Sequence, residues 1–538
     1  MGKRPEVGST ARARRARWSG IGLCMTAAVL VSGCGSLVTG TVLRSTAKAS
    51  SHQSASGSSG GGSTTASART PSGETTTSAA GSGPGAAGTG AAAAGTGSGS
   101  AAGGSGTPGA TSASHDAGST GPPGGTPGAS SAAAPGGPIK IGFLLTETSN
   151  VKSFGLSMGN TVSEQQVDQA LVDAINKQGG LSGHQIDPVF ATTDTGDASW
   201  DADFAAACAT FTQDNHVVAV LGYEFTFDTG FENCLAQAGI PHLVTGFNIP
   251  DPSTLAAYPD FWALDVPNID ARSLAKVEGA VATGYLTSAD KIGVVTDACP
   301  GTQPAWTNVV EPYLKEHDLT VASSFEIDCG TGDNASESAE ISELPNLVLQ
   351  FKTAGVDRVM FISVSEAPEL YGFADTAETQ NYSPGYIVSS LAQLSILTGQ
   401  LTSSQLQNVH GFGWLPSQDV SPSQYGAPNA SQAKCLSDLR SQGIVPSAAA
   451  DYGYAYNVCE AVFVYQDALG TDGGSTTGTA VSAAIARLGT SFVSTTDLNG
   501  SSVFSTAKQN DAPAVYRPID WETACSCFEY TGSAYPMP

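Results

Sequence analysis

Between Gly35 and Gly137 the chain contains no Tyr, Phe or Trp and consists almost wholly of Gly, Ser, Thr, Ala and Pro. A stretch of this composition cannot bury enough apolar surface to offset its ordering entropy, so it is expected to stay disordered. Its root-mean-square reach as a flexible coil is about 55 Å, which suits a tether. Folding therefore falls to the roughly 400 residues that follow, more than one ordinary core accommodates, and two lobes are the default expectation.

The tether is preceded by a basic head (Lys3, Arg4, Arg12, Arg14, Arg15, Arg17) and a short apolar run from Ile21 to Val31. That run is too short to span a bilayer and ends in small residues, as a secretory signal does. The tetrad Val31-Ser32-Gly33-Cys34 resembles the lipobox of bacterial lipoproteins. The resemblance implies that Cys34 is lipidated and becomes the mature N-terminus. One acyl chain binds a membrane reversibly, so stable anchoring needs at least two. The expected location is the outer face of a bacterial cell membrane, in a cell-wall setting. The net charge of −25, more negative once the basic signal is removed, disfavours nucleic acid and anionic surfaces as partners.

Eight cysteines remain: Cys208, Cys234, Cys299, Cys329, Cys435, Cys459, Cys525 and Cys527. An even number in an exported chain reads as disulfides. Spacing does not determine connectivity, and sequential pairing is the preferred reading because it closes three short loops of similar size. Cys525-Ser526-Cys527 demands a turned backbone if bridged. No cofactor is expected, and no metal, since no histidine has a metal-spaced partner.

From Ile139 onward, short β-rich apolar runs alternate with helical periodicity. Strands are expected at Ile139 to Leu145, Ile186 to Ala191, Val217 to Leu221 and His242 to Val244, with helices between them. A second series runs from the helix beginning at Ala271 through strands at Lys291 to Val295, Thr320 to Ile327, Arg358 to Ile362 and Tyr386 to Val388. More aromatic, irregular sequence follows, including Gly411-Phe412-Gly413-Trp414, then helices at Tyr452 to Leu469 and Val481 to Leu488. This βαβ rhythm predicts α/β architecture: two doubly wound parallel-sheet lobes in sequence.

The opening Ile139-Lys140-Ile141-Gly142-Phe143, the helix end Ala174-Ile175-Asn176-Lys177-Gln178-Gly179-Gly180-Leu181-Ser182-Gly183, Asp194 after the second strand and Tyr454-Ala455-Tyr456-Asn457 resemble the type I periplasmic binding-protein fold. The subgroup resembled is the branched-chain amino-acid and amide receptors of ABC importers. The resemblance implies a ligand cleft between two lobes joined by a three-crossover hinge, with crossings near 266–268, 410 and 500. Lobe one is expected to comprise 138–266 and 412–500, lobe two 267–411 and 501–530, and 531–538 a C-terminal tail; 1–33 is the signal and 34–137 the anchor and tether.

The same resemblance places ligand contacts in three loops of lobe one. These bring in Thr146, Ser153 and Phe154; Tyr223, Glu224 and Thr226; and Thr245 and Phe247. Thr226 corresponds approximately to a hydroxyl that holds a ligand carboxylate, and a plain helix cap is an equal reading. Phe247 and Glu224 depart from the family's pattern and weaken the case for an aliphatic amino acid. Glu224 favours a cationic or hydroxyl-rich ligand if it faces the cleft, and is otherwise solvent-exposed. In lobe two, Ser363 lies at a strand end, and Asp297 and Glu366 are candidates to meet a ligand ammonium. Trp414 reads as a hinge aromatic or a cleft wall.

The implied function is capture of a small polar solute for delivery to an ABC permease, with ligand sensing by the same cleft as the alternative. Among signatures of an exported enzyme, His-Glu-x-x-His is absent from the sequence. Gly-x-Ser-x-Gly occurs as Gly57-Ser58-Ser59-Gly60-Gly61 within the Gly/Ser tether and as Gly155-Leu156-Ser157-Met158-Gly159 beyond the polar loop that follows the first strand, in neither case as the sharp turn directly off a strand end that a nucleophile elbow requires.

Overall fold

A computed structural model describes residues 136–538 apart from 148–160, 195–199, 225–226, 247–249, 330–333, 365 and 509. Cys34, the tether and four expected contact residues (Ser153, Phe154, Thr226, Phe247) lie outside the described residues.

The first sheet contains β1 (Ile139–Glu147), β2 (Ile186–Asp194), β3 (Ala219–Glu224), β4 (His242–Gly246) and β5 (Phe261–Ala263). All pair in parallel, in the order β2-β1-β3-β4-β5. Helices on both faces explain why β1, β3, β4 and β5 are almost continuously buried rather than alternating, while the edge strand β2 is more exposed. In β1, Ile141 and Phe143 feed one core cluster while Leu144 feeds another, with Phe204, Phe211 and Phe231, on the opposite side. The connecting helices include α1 (Glu164–Lys177), α2 (Trp200–Ala209) and α3 (Thr229–Ala238).

Helix α1 starts at a capping box, in which Ser163 accepts from the Gln166 amide and Gln166 reaches back to the cap. It ends where the Gly180 amide donates to Ile175 O (2.9 Å). Gly180 has φ +79°, and a Cβ there would lie 2.0 Å from His184 O, so only glycine fits the turn.

The second sheet contains β6 (Lys291–Asp297), β7 (Thr320–Ile327), β8 (Arg358–Ile362), β9 (Gly385–Ser389), β10 (Val409–Gly413), β11 (Val515–Glu522), β12 (Cys527–Tyr530) and β13 (Tyr535–Pro536). Their order is β12-β11-β10-β9-β8-β6-β7, with β13 on β11. Strands β6 to β10 pair in parallel, and β11 returns antiparallel to β10. Helices of this lobe include α4 (Ile269–Ala282), α5 (Asn334–Ala354) and α6 (Glu366–Thr379). The chain thus forms the two doubly wound α/β lobes anticipated from its βαβ rhythm.

Three connections join the lobes. The first follows β5, the second leaves the second sheet after Gly413, and the third enters β11 at Val515. Between the last two lie α7 (Ala430–Ser441), α8 (Ala449–Thr471) and α9 (Gly478–Leu488); α7 and α8 pack on α1, and α8 also covers β3 and β4. Residues 501–514, expected with lobe two, border the first sheet instead. Asn510 Nδ2 donates to Pro259 O and Phe261 O (both 2.9 Å), and Asp511 bridges Ala263. Residues 535–536, expected in a tail, complete the second sheet as β13.

The connections are tied to one another. Trp414, fully buried, donates its indole N–H to Asp265 O (2.8 Å), and Asn268 donates through N and Nδ2 to Asp511 Oδ2 (3.0 and 2.7 Å). All four disulfides pair sequentially: Cys208–Cys234, Cys299–Cys329, Cys435–Cys459 and Cys525–Cys527. Among the described residues no helix is long and apolar enough to cross a membrane.

Candidate functional site

In an open parallel sheet, ligands bind beyond the C-terminal strand ends, where consecutive connections leave for opposite faces. The order β2-β1-β3-β4-β5 puts that switch point between β1 and β3. In the second sheet, the order β7-β6-β8-β9-β10 puts it between β6 and β8. The end residues are therefore Thr146 and Tyr223 in one lobe and Asp297 and Ser363 in the other.

The first switch point is built as a connected polar and aromatic cluster. Thr146 Oγ1 donates to Tyr223 O (2.8 Å), and the Thr146 amide donates to Glu164 Oε2 (2.9 Å). The Tyr223 ring meets the Tyr454 ring edge-on, centroids 5.7 Å apart, and the Tyr454 hydroxyl reaches Asp168 Oδ1 at 3.5 Å. Asp265 Oδ1 accepts from the Gly246 amide (2.9 Å). Gly246 has φ +108°, and a Cβ there would sit 2.7 Å from the Tyr223 ring and 3.0 Å from Glu224 O, so glycine lets β4 close against Tyr223. Burial pushes the carboxyls of Glu164, Asp168 and Asp265 well above the ordinary range. It also raises both tyrosine hydroxyls, with the neighbouring acids adding to the effect.

The second switch point is laced together internally. Asp297 Oδ2 accepts from the Val364 amide (2.7 Å), tying the β6 end to the β8 end, while Oδ1 accepts from the Cys299 amide (3.1 Å) and Thr302 Oγ1 (2.5 Å). Ser363 donates to Glu369 Oε2 (2.5 Å) and its carbonyl accepts from Arg272 Nη2 (2.6 Å). Glu366 accepts from the Ser389 amide and hydroxyl (both 2.6 Å) and pairs with Lys276 Nζ (3.2 Å) and Arg272 Nη1 (3.5 Å). Burial lowers Lys276 to about 8 against the pull of Glu366, and raises Asp297 against its three donors.

Two sheets, each with a switch point at its C-terminal strand ends, are tied by three connections. The sequence profile described as "Periplasmic binding protein" matches residues 138–520. The chain belongs to that family. Solved structures of similar fold include a solute-binding protein of an ABC transporter from R. palustris in complex with 4-hydroxybenzoate. It is 12% identical with TM-score 0.55, covering 74% of this chain and 98% of that one. A branched-chain amino-acid transporter substrate-binding protein from Streptococcus pneumoniae in complex with isoleucine is 15% identical with TM-score 0.51, covering 73% of this chain and 99% of that one. A possible leucine/isoleucine/valine-binding protein from Rhodopirellula baltica is 13% identical with TM-score 0.53, covering 73% and 96%. No curated protein matches the chain significantly.

Within this periplasmic binding protein, the expected contact residues divide. Thr146 and Tyr223 stand at the first switch point. Thr245, at the end of β4, turns its hydroxyl to Gly222 O (3.3 Å) and is buried. Glu224 faces neither cleft nor solvent, because side chains alternate along a strand and it points to the face opposite Tyr223. There His242 Nε2 meets Glu224 Oε1 (2.8 Å) and His242 Nδ1 meets Glu232 Oε1 (2.7 Å). Glu366 is fully buried and engaged within lobe two, by the Ser389 amide and hydroxyl and by Lys276 and Arg272. Asp297 and Ser363 hold the second switch point in shape through groups already bonded.

Sequence reading missed Glu164, Asp168, Asp265 and Tyr454. The first two lie one helical turn apart on α1, and the others come from a crossover and from a helix nearly 300 residues downstream of α1. Only the Glu164/Asp168 spacing was visible locally. Two groupings of metal-binding side-chain types occur among the described residues, Cys525/Cys527/Glu529 and Glu224/Glu232/His242. The first has no free thiolate because its cysteines are bridged. The second has each imidazole nitrogen on a different carboxylate, the geometry of a buried ion triad.

Proposed function

We propose that this protein is an extracytoplasmic solute receptor that captures a small polar solute between its lobes and delivers it to an ABC permease. In this reading it is anchored by lipid on Cys34 and stands off the membrane through the Gly/Ser/Thr/Ala/Pro tether. The observation that carries the reading is a pair of lobes, each with its own switch point, tied by three connections; in such a frame only a closed state lets one solute touch both lobes. Binding then shifts the population toward closure. The solutes in the similar solved structures, an aliphatic amino acid and an aromatic acid, support small-solute capture as the class of activity.

The test is a thermal-shift screen of the compact unit 116–538 against amino acids, amides, amines, aromatic acids, nucleosides and sugars. A bound solute at 100 times its Kd stabilises the folded state by about 2.7 kcal/mol, well within detection. A stabilising solute whose affinity survives substitutions at both switch points would place the site elsewhere. Globomycin-type inhibition of signal cleavage, or Cys34→Ser, should release the chain from the membrane fraction; unchanged fractionation would rule out the anchor.

A further inference from the structure

Resting on the solute-receptor reading, we infer that the ligand presents a cationic nitrogen, an ammonium or guanidinium, to lobe one, where Tyr223, Tyr454, Glu164, Asp168 and Asp265 converge. The convergence is geometric. Asp265 is held at the Gly246 amide beside the Tyr223 ring, Tyr223 packs edge-on against Tyr454, Tyr454 reaches Asp168, and Glu164 sits on the Thr146 amide, whose hydroxyl holds Tyr223 O. These groups come from the ends of β1, β3 and β4, from α1 and α8, and from the first crossover. They meet at the switch point, where the fold presents a ligand.

The electrostatic neighbourhood is one-signed. The charges acting on Glu164 are Asp168 and Glu147; on Tyr223, Glu164 and Asp265; on Tyr454, Asp168 and Glu164; and on Asp265, Glu460. An independent observation supports the same ligand charge. Asp265 is 1% exposed, yet its Oδ2 has no hydrogen-bond partner, and the fully buried Glu460 adds its charge to the same corner. A buried carboxylate oxygen without a donor is costly unless a counter-charge arrives. The two ring faces beside these acids add cation–π attraction. A ligand carboxylate brought to this corner would meet like charge and no side-chain cation from the cluster, which separates this receptor from a carrier of aromatic acids. The acid that sequence reading offered for a cationic ligand, Glu224, is spent on His242; other acids fill that role.

The experiment uses the compact unit with a fixed panel: putrescine, spermidine, agmatine and choline on one side, and leucine, isoleucine and 4-hydroxybenzoate on the other, read by thermal shift and calorimetry. We expect at least one amine lacking a carboxylate to bind, and its Kd to rise at least tenfold in both Asp168→Asn and Asp265→Asn. Ligand-free Asp265→Asn should melt at or above the wild-type temperature, because burial already favours the uncharged carboxyl there and Asn keeps an acceptor for the Gly246 amide; a purely structural carboxylate would lower the melting point instead. If only carboxylate-bearing or neutral solutes bind, the inference fails while the receptor reading stands. Amine binding that both substitutions leave intact also overturns it. Silence across this panel and the wider screen removes the receptor reading and the inference together.

Discussion

Replacing the charge on His242 tests the interior of lobe one quantitatively. Burial alone would lower this imidazole, but Glu232 and Glu224 on its two nitrogens raise it from 6.5 to about 10. At about 1.4 kcal/mol per pKa unit, the imidazolium contributes at most about 5 kcal/mol to folding. Because the folded value lies above the unfolded one, that contribution is complete below pH 6.5 and is lost as pH rises toward about 10, with a slope of about 1.4 kcal/mol per pH unit between. Lys276, lowered to about 8, acts in the opposite sense above pH 8, so the informative quantity is a difference between proteins. Urea unfolding of wild type and of the neutral triad E224Q/E232Q/H242Q, run from pH 7 to 9.5, should show wild type losing its advantage at about that slope. The single substitution His242→Gln, which strands two buried carboxylates, should cost about 3–5 kcal/mol at pH 7. Parallel stability curves for wild type and the neutral triad across the window would show that His242 carries no charge. Glu224→Gln should leave solute affinity within twofold, because Glu224 faces away from the cleft.

Cutting the disulfides separately should rank them by loop length: about 3–4 kcal/mol each for bridges separated by 24, 26 and 30 residues, and about 1 kcal/mol for Cys525–Cys527, separated by 2, measured as denaturation midpoints of Cys→Ser pairs. Gly246→Ala forces a Cβ against the Tyr223 ring at positive φ; we expect a loss of 2 kcal/mol or more, on the order of other strained substitutions, with weakened solute binding, and unchanged stability would refute the close approach. Asp297→Ala leaves the Val364 and Cys299 amides without their acceptor and should cost about 2–3 kcal/mol, with amide exchange accelerated first at the β6 and β8 ends; uniform exchange would show that the carboxylate is not the tie between them.

Much of the fold was legible because parallel strands buried on both faces announce themselves as unbroken apolar runs. Arg358–Ile362 was readable to the residue on that ground, and the edge strand Thr320–Ile327, whose residues alternate in exposure, by its β-branched and aromatic content. Strand β10 was not, since Val-His-Gly-Phe-Gly carries two glycines and a histidine; it is a strand because β9 and β11 pair on both sides of it. Helix α7, with its Asn429 capping box, went unread because its sequence is mostly polar and only Cys435, Asp438 and Leu439 are buried. At the candidate site, strand ends were enough to find Thr146 and Tyr223 at the first switch point. Which acid faces the cleft depends on side-chain parity at the last strand residue and on partners far away in sequence. Glu224 and Glu366 find theirs at His242 and at Lys276, Arg272 and Ser389, which no local pattern reveals.

The ties among the three connections have a mechanical meaning. Trp414 of the second connection grips Asp265 of the first, and Asp511, ahead of the third, grips Asn268 of the first. Three independent straps would let the lobes slide, splay or twist against each other. Straps bound crosswise act as a single axle, so the receptor is left with essentially one coordinate, an opening angle. A solute that fixes that angle then sends a message with no second component.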